Sequence, residues 1–269
     1  MKPYLISLDL DGTLLKDNKT ISQKNLQAIQ KAQELGHQVM IATGRSFRFS
    51  EQYYKQLNLS SPIVNFNGAY IHHPLDKKWG EYHTPIDLDI VGQIIHTAEK
   101  YNLQNIIAES IHSVYSHHPR EQMLDALSAE YQHITAGDLR KTLPTSPTSM
   151  LIHTDLETMP LLRKELDDHL DHIHHRSWAV PWPVIEIIKK GQSKATGAKL
   201  ISEHYNIPKE NIIAFVDEDN DLEILQYANY SVAMQNATDD VKEISKYTTK
   251  SNEEDGVAIF LNELLDLKL

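Results

Sequence analysis

At 269 residues, with 41% hydrophobic and 23% charged side chains, the chain can bury a core as one large domain or two ordinary ones. Lys and Arg number 26 against 37 Asp and Glu, and the net charge of −11 argues against nucleic acid or an anionic membrane as partner, though not against small anionic substrates. The absence of cysteine excludes disulfides, thiolate catalysis and cysteine-ligated zinc.

The run "YLISLDL" (4–10) reads as a short buried strand that stops at "DGTLL", where Gly12 permits a tight turn. In 21–36, Leu26, Ile29, Ala32 and Leu35 recur at helical spacing, with Ser22 as N-cap and Gly36 as stop. "HQVMIATGR" (37–45) reads as a second strand, the segment from Ser46 as a helix, and "PIVNFNGA" as a third strand. Strand and helix alternating at this rhythm predict a parallel sheet with crossover helices, a doubly wound α/β core. The rhythm returns from residue 193, with a helix to 206, the strand "NIIAFV", the helix "DLEILQYA", the strand "YSVAM" and a helix over 255–267. The middle breaks it: a helix over Leu88–Tyr101, β-like runs "SMLIHT" and "SWAVPW", and prolines collected in "LPTSPTS" and "PWP". The predicted organisation is a discontinuous core, 1–83 and 187–269, with a second α/β domain, 84–186, inserted into it.

Ligands of open parallel sheets bind at the carboxyl ends of the strands. Strand one ends in Asp9 and Asp11, strand two in Thr43-Gly44-Arg45, and the strand at 212–216 in "DEDND"; Lys194 opens the helix after the insertion. Carboxylates can hold Mg²⁺, and a hydroxyl, a lysine and loop amides suit a phosphoryl group. Of Asp9 and Asp11, one can serve as nucleophile and the other as acid/base. Lys189 and Lys190 compete with Lys194 for the cationic role. The alternating acids from Asp217 also match part of a calcium loop. That reading fails at its sixth position, Leu222, where glycine is needed, and at its twelfth, Ala228, where a bidentate glutamate is needed.

Taken in order, "DLDGTLL", "IATGR", the lysine of "KGQSK" and "DEDND" resemble the four motifs of the haloacid dehalogenase (HAD) superfamily. "NFNGA", "VAMQNATDDVK" and "SNEEDGVA" are similar to segments of its Cof-type phosphatase branch, which carries a large α/β cap between the second and third motifs. The resemblance covers the core and matches the insertion only by position and length. It implies a Rossmann-like core and a Mg²⁺-dependent phosphatase of small phosphorylated metabolites acting through an aspartyl-phosphate. Asp9 is then the nucleophile and Asp11 the acid/base. Thr43, with amides near Gly44 and Arg45, binds the phosphoryl group, Lys194 neutralises charge, and Asn67 and Asn220 lie at the pocket. Mg²⁺ falls to Asp9, Asp11 through its backbone carbonyl, Asp217 and Asp221. Sugar phosphates, pyridoxal phosphate, flavin mononucleotide and riboflavin-pathway intermediates are the implied substrates.

The sequence departs from the family pattern at Val216 and Glu218, where glycines are usual, and at Gln235 and Ala195. Glu218 adds negative charge near a dianionic substrate, which keeps open a phospho-ligand-binding protein with an impaired site. A phosphomutase or phosphotransferase on the same residues is the other alternative. His172 with His175, or His169 with His172, could share a helix face and bind a metal but read as bystanders, and Trp178 and Trp182 read as core or edge of the insertion. The N-terminus meets charge too early for a signal peptide, so a cytoplasmic monomer or weak homodimer is expected, without nucleic-acid or membrane partners.

Overall fold

The computed structural model describes residues 2–101, 103–119, 133–178, 183–218, 220 and 222–269. Two compact units emerge, Met1–Tyr82 with Ser193–Leu269, and His83–Gln192. The chain begins with β1 (Leu5–Leu8), α1 (Gln23–Glu34), β2 (Gln38–Ile41), α2 (Phe47–Gln56), β3 (Ile63–Asn65), β4 (Tyr70–His72) and β5 (Glu81–His83). Ser22 caps α1 by accepting from the Asn25 amide, while Leu35, expected on the apolar stripe, is the exposed residue at its end. The third predicted strand stops at Asn65, because Phe66 and Asn67 turn into the left-handed region with φ of 48° and 51°.

The second unit holds α3 (Leu88–Ala98), β6 (Asn105–Glu109), β7 (Val114–Ser116), β8 (Ile134–Ala136), α4 (Leu139–Thr142), β9 (Ser149–His153), α5 (Met159–His169), β10 (Ile173–Ser177) and β11 (Val184–Lys189). Its sheet runs in the order β10-β11-β9-β6-β7-β8, with every pair antiparallel except β7 with β8. Ile106, Ala108, Met150, Ile152, Ile185 and Ile187 pack with Ile94, Leu162 and Leu166 of α3 and α5. The unit runs to Gln192 rather than ending at 186, because β11 pairs with both β9 and β10. His169 ends α5 while His174 and His175 lie on β10, so the histidines do not share a helix face. Trp178 is half-exposed and donates from Nε1 to Glu186 Oε2 at 3.2 Å. Trp182 lies outside the described residues.

The chain then returns as α6 (Lys194–His204), β12 (Ile212–Val216), α7 (Leu222–Tyr227), β13 (Tyr230–Ala233), α8 (Asp239–Ile244), β14 (Tyr247–Thr248) and α9 (Gly256–Leu265). The first unit's main sheet is parallel, in the order β14-β13-β12-β1-β2, and a bridge from Ala42 to Val64 extends it towards β3. Successive side chains of a strand point to opposite faces. Ile6, Leu8, Ile41, Ile213 and Phe215 therefore join one core with Ile29, Tyr53 and Leu261. Leu5, Met40, Ile212, Ala214 and Val216 join the other with Ala198, Ile201 and Ile224. A sheet covered on both faces explains why β1 and β12 are buried at every position, with Ser7 the one polar side chain, rather than alternating between buried and exposed. The register fixes the functional edge: Leu8 lies beside both Ile41 and Phe215, so the three strand ends are level.

Candidate active site

Asp9 follows β1 directly, and its amide donates to the Phe215 carbonyl at 3.3 Å. The chain then makes a wide turn over Leu10–Leu14, in which the Leu15 amide reaches back to the Leu10 carbonyl at 2.8 Å. Gly12 sits in this turn with φ +68°, and a Cβ there would lie 2.0 Å from Asp217 Oδ2, so the Asp217 carboxylate rests on the turn itself. Thr13, fully buried, donates from Oγ1 to Asp217 Oδ1 at 2.7 Å. Asn236 donates to the Gly12 carbonyl at 2.7 Å, closing the turn from the β13 side.

Lys194, the first residue of α6, is 1% exposed, and its Nζ donates to Asp9 Oδ1 at 2.7 Å. The start of α6 is set by close backbone contact: Gly68 has φ +98°, and a Cβ on it would meet the Ser193 carbonyl at 2.2 Å. Burial pushes the Asp9 carboxyl up, the neighbouring Asp11 adds to this, and Lys194 opposes it without cancelling it. Lys189 instead pairs with Asp87 at 2.9 Å in the second unit, and Lys190 is exposed.

Arg45 takes a place the sequence did not suggest. Its Nε and Nη2 grip the Asp11 carboxylate at 2.6 and 2.7 Å, a forked pair of charge-assisted bonds. Lys19 adds a third donor, Nζ to Asp11 Oδ1 at 2.7 Å. Burial pushes Asp11 up, but the bonds and charge of Arg45 and then Lys19 outweigh it and hold the carboxyl down at about 2. Thr43, buried at the end of β2, accepts the Arg45 amide on Oγ1 at 3.2 Å. Asn67 is fully buried beside Gly44, whose Cβ, if present, would lie 3.0 Å from Asn67 Nδ2. Asn220 donates to Asn67 Oδ1 at 3.2 Å, so the loop after β12 meets the turn after β3.

Three carboxylate residues, the threonine, both asparagines and the lysine thus gather at one edge of one sheet. Asp219 and Asp221 lie outside the described residues. Val216 is the buried last residue of β12, and Glu218 is exposed. Thr13, Lys19, Tyr53 and Asn236 were not read as site residues from sequence, although Thr13 is the third letter of "DGT" and Asn236 lies within "VAMQNATDDVK".

The sequence model of the haloacid dehalogenase-like hydrolases matches residues 6–261. The chain belongs to that family. This haloacid dehalogenase-like hydrolase is 53% identical over 267 residues, 99% of either chain, to the 5-amino-6-(5-phospho-D-ribitylamino)uracil phosphatase YitU of Bacillus subtilis. It is 27% identical to the pyridoxal phosphate phosphatase YbhA of Escherichia coli over 97% of this chain and 98% of that one. Among solved structures, a haloacid dehalogenase-like hydrolase from Bacteroides thetaiotaomicron superposes with a TM-score of 0.81 at 25% identity, covering 98% of this chain and 100% of that one.

The residues fit a small hard cation. Asp9 and Asp217 offer carboxylate oxygens at neighbouring strand ends, an all-oxygen donor set of the kind Mg²⁺ takes while keeping several waters. Asn220 Oδ1 is a buried acceptor without a partner among the described residues, suited to a water on such an ion. No group of three His, Asp or Glu side chains among the described residues is arranged as a full metal cage. The Asp11 carboxylate is itself committed to Arg45 and Lys19.

Proposed function

We propose that this hydrolase is a Mg²⁺-dependent phosphatase of small phosphorylated metabolites, with 5-amino-6-(5-phospho-D-ribitylamino)uracil as its substrate. The observation that carries the chemistry is the buried Lys194–Asp9 pair at the end of β1, with Asp11 beside it. A lysine held on one oxygen of a carboxylate lets that carboxylate approach an anionic ester. The substrate rests on the 53% identity to the phosphatase named for it.

In this reading an Asp9 oxygen attacks phosphorus in line, the ester P–O bond breaks, and Asp11 gives its proton to the departing oxygen. Asp11 then takes a proton from water, which attacks the aspartyl-phosphate, frees inorganic phosphate and restores Asp9. The ionised Asp11 of the free site must first take up a proton, and an arriving phosphate dianion supplies the field that favours this. Lys194 holds the charge on Asp9, while the Thr43 hydroxyl and amides beside Gly44 receive the phosphoryl oxygens, with Asn67 and Asn220 at the rim. Mg²⁺, when bound through Asp9, Asp217 and the Asp11 carbonyl with Asp221 in support, supplies positive charge for the phosphoryl group. The inserted unit is proposed to carry specificity. A monomer or weak homodimer in the cytoplasm suffices, with a small phosphorylated metabolite as the only partner.

Phosphate release from the ribitylaminouracil phosphate, pyridoxal phosphate, a hexose phosphate and p-nitrophenyl phosphate, with Mg²⁺, tests both parts. The highest kcat/KM is expected for the ribitylaminouracil ester, and Asp9→Asn is expected to be folded and inactive on all four. Turnover by Asp9→Asn would remove the mechanism; a clear preference for another ester would remove the substrate.

A further inference from the structure

Lys19 is eight residues from Asp11 in sequence, and its approach depends on a hairpin. Leu15 and Ile21 bridge antiparallel, the Lys16 amide donates to the Thr20 carbonyl at 2.9 Å, and the Lys19 amide to the Lys16 carbonyl at 2.8 Å. Lys19 itself adopts φ +62°, a conformation that non-glycine residues rarely take without support. Two supports are visible. At the base, Asn252 donates from Nδ2 to the Leu15 carbonyl at 3.0 Å. At the tip, the buried Tyr53 of α2 donates its hydroxyl to the Lys19 carbonyl at 3.0 Å. The same Tyr53 ring lies 5.6 Å from the Arg45 guanidinium carbon, so one side chain braces both cations that hold Asp11.

The Lys19 ammonium is exposed, and an exposed ion pair of this kind adds little to stability. What the closed path Asp11–Arg45–Tyr53–Lys19 does fix is direction. With donors on both carboxylate oxygens, Asp11 is held from swinging about its side-chain torsions, and proton transfer is sensitive to that placement.

We infer that Lys19, braced by Tyr53, is a positioning residue that orients the Asp11 carboxyl for proton delivery to the leaving group. This rests on the proposed acid/base role of Asp11. A different role, direct binding of the phosphoryl group by Lys19, would affect every phosphate ester alike. Positioning of an acid affects only esters whose leaving oxygen needs a proton.

The test compares kcat/KM, which reports steps through departure of the first product, for two esters. One is p-nitrophenyl phosphate, whose phenolate leaves with little need of a proton. The other is the alkyl phosphate turned over fastest in the panel above. Lys19→Met is expected to lower kcat/KM for the alkyl ester about tenfold while p-nitrophenyl phosphate stays within about threefold. Tyr53→Phe is expected to follow in the same direction with a smaller effect, and Lys19→Arg to recover most of the loss. Equal losses on the two esters, or no loss on either, would overturn the inference. Asp11→Asn, run alongside, must show the same ester selectivity more strongly; if it does not, the acid/base reading of Asp11 fails, a result distinct from failure of Lys19 alone.

Discussion

Gly12→Ala isolates how the turn after β1 builds the site. Two separable penalties apply. The first is backbone: an L-residue held at φ +68° costs about 1–2 kcal/mol relative to glycine. The second is contact: the new methyl would lie 2.0 Å from Asp217 Oδ2, so Asp217 must move and strain its 2.7 Å bond from Thr13. Losing a buried hydrogen bond to a charged group costs roughly 1.5–3 kcal/mol. Gly36→Ala supplies the control, because Gly36 has φ +86° but nothing within 4 Å of its would-be Cβ. Gly12→Ala is therefore expected to be less stable than Gly36→Ala by roughly 1.5–3 kcal/mol in urea unfolding. It should also raise the Mg²⁺ concentration needed for half-maximal turnover, which Gly36→Ala leaves unchanged. Equal stability of the two variants, with unchanged Mg²⁺ dependence, would refute the account of Gly12 as the seat of Asp217.

Lys194→Met leaves the Asp9 carboxyl buried without its partner, and is expected to abolish turnover and destabilise by about 3–5 kcal/mol. Adding Asp9→Asn to Lys194→Met should recover part of that stability, and a double-mutant cycle in urea shows whether it does. His37 accepts the Tyr4 amide on Nδ1 at 3.1 Å, and burial lowers its imidazole below the ordinary histidine value. With the folded value below the unfolded one, protonation favours the unfolded chain. His37's contribution is thus full above about pH 6.5 and declines as pH falls below it. Unfolding of wild type and His37→Asn at pH 7.5 and 5.5 should show a smaller acid-side loss in the variant.

Strand-end logic found Asp9, Thr43 and Asp217 because a doubly covered parallel sheet announces itself in apolar runs, and because its register makes the strand ends level. Lys194 was harder to select over Lys189 and Lys190. What selects it is the close packing of Gly68 on Ser193, which sequence spacing does not reveal. Arg45 was legible as a site residue, but its partner was not, since the grip on Asp11 depends on the wide turn at Leu10–Leu14. Lys19 was invisible: a lysine in a polar loop reads as solvated, and only the hairpin turns it back. The second unit was legible as an interruption of the helix–strand rhythm, yet its sheet order was not. Antiparallel pairing between β6 and β9, or β9 and β11, leaves no mark in local periodicity.

The crowding of acids that made "DEDND" conspicuous resolves into separate attachments. Carboxylates brought together in a low-dielectric cleft repel strongly, so each needs its own counter-group. Asp9 has Lys194, Asp11 has Arg45 and Lys19, and Asp217 has the Thr13 hydroxyl. Among the described residues, Asp9, Asp11 and Asp217 thus face Lys194, Arg45 and Lys19, three negative groups against three positive ones. A divalent cation and a phosphate dianion carry equal and opposite charges, so each offsets the field of the other where both bind. Glu218 is exposed, where water screens its charge. The glycine-to-acid departure that suggested an impaired site is therefore compatible with a working one, and the proposed need for Mg²⁺ follows from the charge of the substrate as much as from the ligands.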